Sequence, residues 1–490
     1  MAYAAALSKT KILAFSQCPR RLWLEQYNPE LEELADDTDS LLAIGREVGE
    51  AARQVYGRGG GERITFEAGQ RAAVNATQAL LDAGGTTPIF EATFDHDGLI
   101  VQVDIFDRAG GQTRLVEVKA STSVKDHHVL DCAIQTWAVE QLGRPLDGIA
   151  LAHIDADFVY GGDGDYTGLF AEQDISEAVR ALIPSLPEQV AGARETLGSL
   201  DEPDVAVGPQ CFSPHPCPFY AHCEPPQGPY PVTGLGGSKK RLFDLMRRGY
   251  TDLRDVPEEE LANESQARIW RQTKSGQPYV GTGMKQFIAR LGHPRYYLDF
   301  ETIAFAVPRW AGTRPYEALP FQWSCHIDNG RDPLVHRSFL DLTGQPPMRH
   351  AAEQLIAALG DEGPIIVYTS YEKRVIHEFA TLYPDLETAL NAIRDRLVDL
   401  HPAVREDYYH PDMLGSWSIK AVLPTVAPEL DYSRLGEVQD GLGAQQAYLE
   451  AIDPSTGDER REQLRQALLD YCGYDTLALV RLVEYFSPSS

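Results

Sequence analysis

The sequence predicts a mixed α/β chain of two domains joined by a helical connector, and three observations carry that prediction. Residues 8–154 run helix, three strands, helix, strand, with the strands set off by the turn signals "DHDG" and "RAGG". The stretch "GPQCFSPHPCPFYAHCEPPQGPYP", within 200–232, is too rich in proline to continue regular structure and ends the first domain. From "RYYLDFET" onward, three β segments followed by alternating helices and strands describe a second, mixed sheet covered by helices. A chain of 490 residues, 43% of them apolar, is long enough for each domain to bury its own core.

The elements follow in order. Residues 8–55 read as helical, because "LSKTKILAFSQCPRRLWLEQY" clusters Ile12, Leu13, Phe15, Leu22, Trp23 and Leu24, and "LLAIGREVGEAARQVYG" closes on glycine. "IFEATFDHDGLIVQVDIFDRAGGQTRLVEVKAST" supplies three strands, "DHHVLDCAIQTWAVEQLG" a helix at about 126–142, and "DGIALAHID" a strand, all in a first domain of residues 1–232. The connector, 233–285, begins with a basic helix in "SKKRLFDLMRRGYTDL" closed by Gly249, and a second helix is expected from Pro257 in "PEEELANESQARIW". The last domain, 286–490, offers strands at "RYYLDFET", "FQWSCHID", "LVHRSFL", "PIIVYTS" and "RLVDL". Its helices are 349–359, "YEKRVIHEFATLY", "SIKAVLPTV" and the closing segment with "DYCGYDTLALVRLV". No internal repeat is visible.

Composition narrows the function classes without choosing one. A formal charge of −28 argues against a surface built for indiscriminate attraction to phosphate backbones, so a nucleic-acid path must be a local basic strip. Arg20 and Arg21, and Lys239, Lys240, Arg241, Arg247 and Arg248 on the connector helix, are the candidates. Carboxylates kept for binding cations also lower the charge, so a metal-dependent nuclease stays open. "MAYAAALSKTK" lacks the order of a secretory signal and no run of about 18 apolar residues occurs, so a cytoplasmic protein without a membrane partner is expected. Seven cysteines, an odd number, speak against a disulfide framework.

The first chemical constellation lies on adjacent strands. "VDIFD" and "VEVKA" place Asp104, Glu117 and Lys119 together, and Glu117 and Lys119, two apart, share a face. Glu-x-Lys alone is ordinary alternation on a half-exposed strand. Two carboxylates with a lysine can also hold a divalent metal and orient an attacking water, which phosphodiester hydrolysis requires. Glu91 precedes them in "FEATF" and Gln135 follows in "AIQTWAVEQLG". This order resembles the RecB-like branch of the PD-(D/E)XK nucleases over roughly residues 8–225. The resemblance implies a restriction-endonuclease-like fold, Asp104 and Glu117 as metal ligands, Lys119 as the catalytic lysine and Gln135 as the helix glutamine lining the site. Gly49 stands where that family usually carries a histidine.

The second constellation joins Cys18 in "QCPRRLW" to Cys211, Cys217 and Cys223 in "CFSPHPCPFYAHC". Zinc prefers a tighter C-x₂₋₄-C knuckle, although His215 and His222 could serve as ligands. Four thiolates from distant segments, two followed directly by proline, suit a Cys₄ iron–sulfur cluster better. One early and three late cysteines resemble the iron–sulfur nucleases of the same branch, which implies a [4Fe–4S] cofactor clasping the ends of the first domain.

The third constellation is Asp299 and Glu301 on "YYLDFET", Glu372 after the strand "IIVYTS", and Tyr471 and Asp475, four apart on one helix face in "YCGYD". Carboxylates so distributed can bind two metals about a scissile phosphate. The order resembles the DEDDy group of DnaQ-like 3′–5′ exonucleases over about 292–485. The resemblance implies an RNase H-like sheet, Mg²⁺ or Mn²⁺ on Asp299, Glu301, Glu372 and Asp475, and Tyr471 orienting the water. Glu372 stands where the second motif normally has aspartate. Asp399 in "RLVDL" reads as an end cap. The whole layout is similar to a bacterial family known mainly as an uncharacterised domain joined to predicted RecB nucleases.

These resemblances imply a metal-dependent DNA nuclease with two hydrolytic sites, used in repair or in defence. Two other readings stay open: a nucleic-acid-binding scaffold whose sites have decayed, and an RNA 3′–5′ exonuclease. No G-x₄-G-K-[ST] occurs, so unwinding would come from a helicase partner.

Overall fold

A computed structural model describes residues 7–33, 38–331 and 333–487; the opening "MAYAAA", read above for a targeting signal, lies outside them. The chain divides into two compact units, Met1–Glu224 with Phe305–Tyr316, and Pro225–Ala304 with Glu317–Ser490. Both are mixed α/β structures. No helix among the described residues is long and apolar enough to cross a membrane.

The first unit runs β1 (Leu7–Ser8), α1 (Lys9–Gln17), α2 (Pro19–Tyr27), α3 (Thr38–Tyr56), β2 (Glu62–Arg63) and α4 (Gln70–Asp82). It continues with β3 (Ile89–His96), β4 (Leu99–Asp107), β5 (Arg114–Lys119), α5 (Asp126–Gln141), β6 (Gly148–Ile154), β7 (Phe170–Asp174), α6 (Ser176–Leu182), α7 (Leu186–Gly198) and α8 (Tyr220–Cys223). Among the described residues seven strands make one sheet in the order β2-β3-β4-β5-β6-β7, with β1 on β4. β3, β4 and β5 pair antiparallel while β5 and β6 run parallel, as the α5 crossover between them requires. Alternation along β6 sends Ile149 and Leu151 into the larger apolar cluster with α5, and Ala150 and Ala152 into a smaller one with Phe90 and Val116. Leu115 of β5 belongs to the larger cluster, so Glu117 and Lys119, at period two from it, point toward α5. Helices α4, α6 and α7 and strand β7 are additions to the elements read from sequence.

The second unit runs α9 (Lys239–Arg247), α10 (Glu264–Ser275), β8 (Tyr279–Val280), α11 (Gly283–Ala289), β9 (Arg295–Ile303), β10 (Leu319–Asp328), β11 (Val335–Leu340) and α12 (Met348–Leu359). Then come β12 (Ile365–Val367), α13 (Tyr371–Leu382), α14 (Glu387–Arg394), β13 (Leu397–Asp399), α15 (His401–Asp407), β14 (Tyr408–Tyr409), α16 (Ile419–Val426), α17 (Gly441–Ile452) and α18 (Asp458–Phe486). Among the described residues its main sheet has five strands in the order β11-β10-β9-β12-β13, antiparallel across the first three and parallel across the last three.

Three boundaries differ from the sequence reading. The segment 233–285 is no free connector: Leu242 and Leu245 of α9 share one apolar cluster with Tyr297, Ile366, Tyr408 and Phe486, because the amphipathic helix buries its apolar face there. The helix expected from Pro257 starts at Glu264 instead, where the Asn263 side chain accepts from Gln266 N and caps it; Glu258–Glu260 form only a 3₁₀ turn. The connection between β9 and β10 folds with the first unit, where Ala306 and Val307 pack with Val48, Ala51, Ile154 and Leu169.

Candidate functional site

In the first unit Glu117 is the hub. Its Oε1 accepts from Lys119 Nζ at 2.7 Å and from Lys9 Nζ at 3.1 Å, and its Oε2 from Gln135 Nε2 at 2.8 Å. Asp131, one turn before Gln135 on α5, accepts from Lys119 at 2.7 Å, from Gln135 at 3.0 Å and lies 3.1 Å from Lys9 Nζ. Asp104 Oδ2 accepts from Val118 N at 2.8 Å. Burial, and then the charge of Glu117, push the Asp104 carboxyl up to about 7. Burial opposes charge on Lys9 and Lys119, but Glu117 and Asp131 outweigh it and hold both ammonium groups above the usual lysine range. The predicted Asp104, Glu117, Lys119 and Gln135 are therefore brought together.

Lys9 and Asp131 were missed. Asp131 had a signal, since it lies four before Gln135 on one helix face. Lys9 had none, because β1 pairing with β4 is what carries α1 to the site.

Lys9, Asp104, Glu117 and Lys119 line a cleft of about 620 Å³, another part of whose lining is α3 with Gly45 and Gly49. A Cβ at Gly45 would meet no atom within 4 Å, and one at Gly49 only the Arg53 guanidinium at 3.5 Å. Packing thus does not require either glycine, although each costs a helix about 1 kcal/mol relative to alanine. Glu91 has φ +60°, in the left-handed region, and its carboxylate is held by Arg53 at 2.9 Å and Gln102 at 2.8 Å.

In the second unit β9 carries Asp299 and Glu301, the first turn of α13 carries Glu372, and α18 carries Tyr471 and Asp475. Cys472 Sγ lies 3.8 Å from Asp299 Oδ2, and the ligand atoms of Asp299, Glu301 and Cys472 fall within 4.8 Å of one another. Glu372 is buried, and its Oε2 has no hydrogen-bond partner among the described residues. Tyr432 donates to Asp475 Oδ1 at 2.5 Å.

Electrostatically this is an acidic centre short of positive charge. Burial, then Asp475 and Glu301, raise Asp299 well above the carboxylate range, and burial, then Asp475, do the same to Glu301. Burial pushes Glu372 up to about 7 and Asp475 up to about 6. Lys420 lowers Glu301 and Asp475 without offsetting these effects. Burial, then Asp475, keep the Tyr471 phenol protonated and far above its usual range.

Behind the carboxylates, Thr476 Oγ1 is 2.8 Å from both Ser324 Oγ and His326 Nδ1, which seats α18 on β10. Asp399 caps a helix start through His401 N at 2.9 Å, as its position suggested. Cys472, Tyr432 and Lys420 are the residues that sequence reading did not single out here.

A family model described as a domain of unknown function (DUF2779) matches residues 296–418. The match takes in Asp299, Glu301 and Glu372 and ends before Tyr471 and Asp475. No curated protein and no solved structure matches the chain.

Cys18, Cys211, Cys217 and Cys223 line one small cavity, together with Leu24, Phe219 and Tyr220. Burial raises the thiols of Cys211, Cys217 and Cys223, the last up to about 11. Among the described residues their sulfurs do not form a group within 4.8 Å of one another.

The expected basic strips are largely paired. Arg20 bonds Glu202 at 2.5 Å and Arg21 bonds Glu25 at 2.8 Å, and both line the cysteine cavity. Arg248 bonds Glu260 at 2.7 Å, Arg241 pairs with the same carboxylate, and Arg247 bonds Asp244 at 3.2 Å; Lys239 and Lys240 are exposed. The sign reversal along "SKKRLFDLMRR" is thus offset in space by an acidic turn further along the chain. The arginines at the acidic cleft are Arg46, Arg53 and Arg63.

Proposed function

We propose that the protein is a metal-dependent nuclease that hydrolyses phosphodiester bonds in DNA at two sites, one in each unit. The observation that carries this reading is the convergence of Asp299, Glu301, Glu372 and Asp475 beside Tyr471 from three elements, with Glu301, Glu372 and Tyr471 buried and the two aspartates half-buried. Like-charged carboxyls so placed repel unless protons or cations join them, and the unpartnered Glu372 Oε2 fits a cation ligand. The mixed sheet with α18 across it supports an RNase H-like, DEDDy-type exonuclease. The set Asp104, Glu117-x-Lys119 and Gln135 on β4, β5 and α5 supports a RecB-like PD-(D/E)XK site.

In the second unit Asp299, Glu301, Glu372 and Asp475 would hold Mg²⁺ or Mn²⁺, which when bound supplies a Lewis acid and an activated water. The Tyr471 phenol stays protonated and donates, so it orients rather than deprotonates the nucleophile. In the first unit Asp104 and Glu117 would hold the same cation. Lys119, kept charged, would stabilise negative charge developing on the phosphoryl oxygens. Asp131 and Gln135 fix Lys119 and Glu117 from behind.

The test is end-labelled single- and double-stranded DNA and RNA incubated with Mg²⁺ or Mn²⁺ and with chelator, with Lys119 and Asp299 variants as controls. Metal-restored cleavage of DNA is expected; absence of cleavage in every metal leaves the scaffold reading, and cleavage of RNA alone leaves the RNA exonuclease. Tyr471→Phe is expected to cost about tenfold to a hundredfold, a water-orienting contact, and Asp475→Ala about a thousandfold, a metal ligand.

The cysteine cavity fits an iron–sulfur cluster better than zinc. A tetrahedral zinc would draw four sulfurs to about 3.8 Å from one another, and no three of these sulfurs lie within 4.8 Å of one another. Protein purified without air is expected to be brown and to contain iron. Cys217→Ser should lose the colour and lower the melting temperature of the first unit, since the clasp from Cys18 to Cys223 closes a long loop. Colourless protein with stoichiometric zinc would refute the assignment.

A further inference from the structure

We propose that Cys472 is a further protein ligand of the carboxylate centre in the second unit. One cation position, formed by Asp299, Glu301 and the Cys472 sulfur, then takes a thiolate-accepting divalent cation such as Zn²⁺ or Co²⁺ in preference to Mg²⁺. The inference rests on the metal-binding reading of that centre and names the class of cation it selects.

Two local repeats bring the sulfur to the carboxylates. Asp299 and Glu301 share a face of β9, and Cys472 and Asp475, one turn apart, share a side of α18. Cys472 Sγ lies 3.8 Å from Asp299 Oδ2, and ligand atoms of Asp299, Glu301 and Cys472 all fall within 4.8 Å of one another. A tetrahedral zinc held by one sulfur and two carboxylate oxygens sets each sulfur–oxygen pair at about 3.6 Å. The Asp299 oxygen is therefore nearly in place. Three protein ligands with a fourth position left over is the pattern of a catalytic zinc rather than of a closed structural one.

A buried cysteine is by itself an ordinary packing residue. Cys132 is one, inaccessible and set within the apolar cluster of the first unit. Cys472 is just as inaccessible, yet its sulfur is turned to a carboxylate. Glu372 supplies an independent sign of a ligand. It is 4% exposed and faces Asp299, and its Oε2 has no hydrogen-bond partner among the described residues. A buried oxygen without a donor, set among other carboxylates, is satisfied by a cation. Oxygen ligands alone suit Mg²⁺, which is small and gives up its water reluctantly; a polarizable sulfur moves the preference to softer cations. On binding, the S–H bond breaks, a sulfur–metal bond forms and the proton passes to the buffer, with no change of oxidation state.

The test titrates the full chain with Co²⁺, Zn²⁺ or Mg²⁺ alone, without nucleic acid, and reads absorption and binding heat. Co²⁺ is expected to give the wild type a near-ultraviolet sulfur-to-cobalt charge-transfer band. The part due to this centre is what disappears in both Cys472→Ser and Asp299→Asn, since the other cysteines are common to all three proteins. At the Zn²⁺ site that Asp299→Asn abolishes, Cys472→Ser should weaken affinity by at least about a hundredfold, the upper end of what even an outer partner of a ligand costs. Mg²⁺ affinity should change little. Cys472→Asp, which offers oxygen in place of sulfur, should give no such band yet bind Mg²⁺ more tightly than the wild type, a gain that a misfolded variant cannot show. A band unchanged in Cys472→Ser, or Zn²⁺ affinity falling no further than Mg²⁺ affinity, overturns the thiolate ligand and leaves Cys472 a packing residue. Should the band depend on Cys472 while no metal elicits cleavage by the wild type, the thiolate site stands and the nuclease reading falls. Cleavage in Mg²⁺ by wild type and Cys472→Ser alike, with no band that depends on Cys472, retains the nuclease and rejects the ligand.

Discussion

On the proposed reading, Asp299→Ala is expected to abolish trimming from 3′ ends, by about a thousandfold or more, and to leave the cleavage expected to depend on Asp104 and Glu117 in place. The size follows from losing a ligand that positions charge directly at the transferred phosphoryl group, a loss of roughly 4 kcal/mol in the barrier. The selectivity follows from composition of the sites: Asp299, Glu301, Glu372 and Asp475 all come from the second unit, and Asp104, Glu117 and Lys119 from the first. Asp104→Ala should give the converse pattern.

A second readout does not depend on turnover. Burial, and then the charges of Asp475 and Glu301, raise the Asp299 carboxyl well above its usual range, so an amide that carries no charge there, Asp299→Asn, should raise the melting temperature in chelator. Mn²⁺ should stabilise the wild type by mass action and the variant much less. Unchanged products together with an unchanged Mn²⁺ response in Asp299→Asn would make the second unit a scaffold.

Lys119→Met is expected to remove the proposed cleavage at the first site by about a thousandfold and also to destabilise the first unit. Lys119 bridges Glu117 and Asp131, both almost fully buried, and without it Lys9 and the neutral Gln135 amide are left to face both carboxylates. Breaking a buried pair in this way costs about 3–5 kcal/mol. Trimming from 3′ ends serves as the internal control, because its residues lie in the other unit. Thermal melting followed by circular dichroism, with the cleavage assay on the same preparation, separates the two effects. A variant that melts like the wild type and still cuts at both sites would show Lys119 to be an ordinary strand lysine.

Much of both sites was legible before any tertiary structure, wherever the chemistry follows from a local repeat. Glu117 with Lys119, and Asp299 with Glu301, share a face because a strand repeats every two residues. Tyr471 and Asp475 share a face because a helix repeats every 3.6. The end-capping role of Asp399 is equally local, a carboxylate meeting a backbone N–H two residues on.

The tertiary structure decided what long-range pairing controls. Lys9 reaches Glu117 only because β1 docks parallel on β4. The α9 segment joins the second unit because Leu242 and Leu245 find a core there, which its basic face does not reveal. The same face loses most of its value as a phosphate strip, since Glu260 lies against Arg241 and Arg248. Phe305–Tyr316 leaves the sheet of the second unit to bury Ala306 and Val307 in the first. By itself the sequence determined which residues share a strand or helix face, since backbone geometry repeats over a few residues. Which charges neutralise which, and which apolar faces meet, was left to the tertiary structure, because electrostatic and hydrophobic partners are chosen by distance in space.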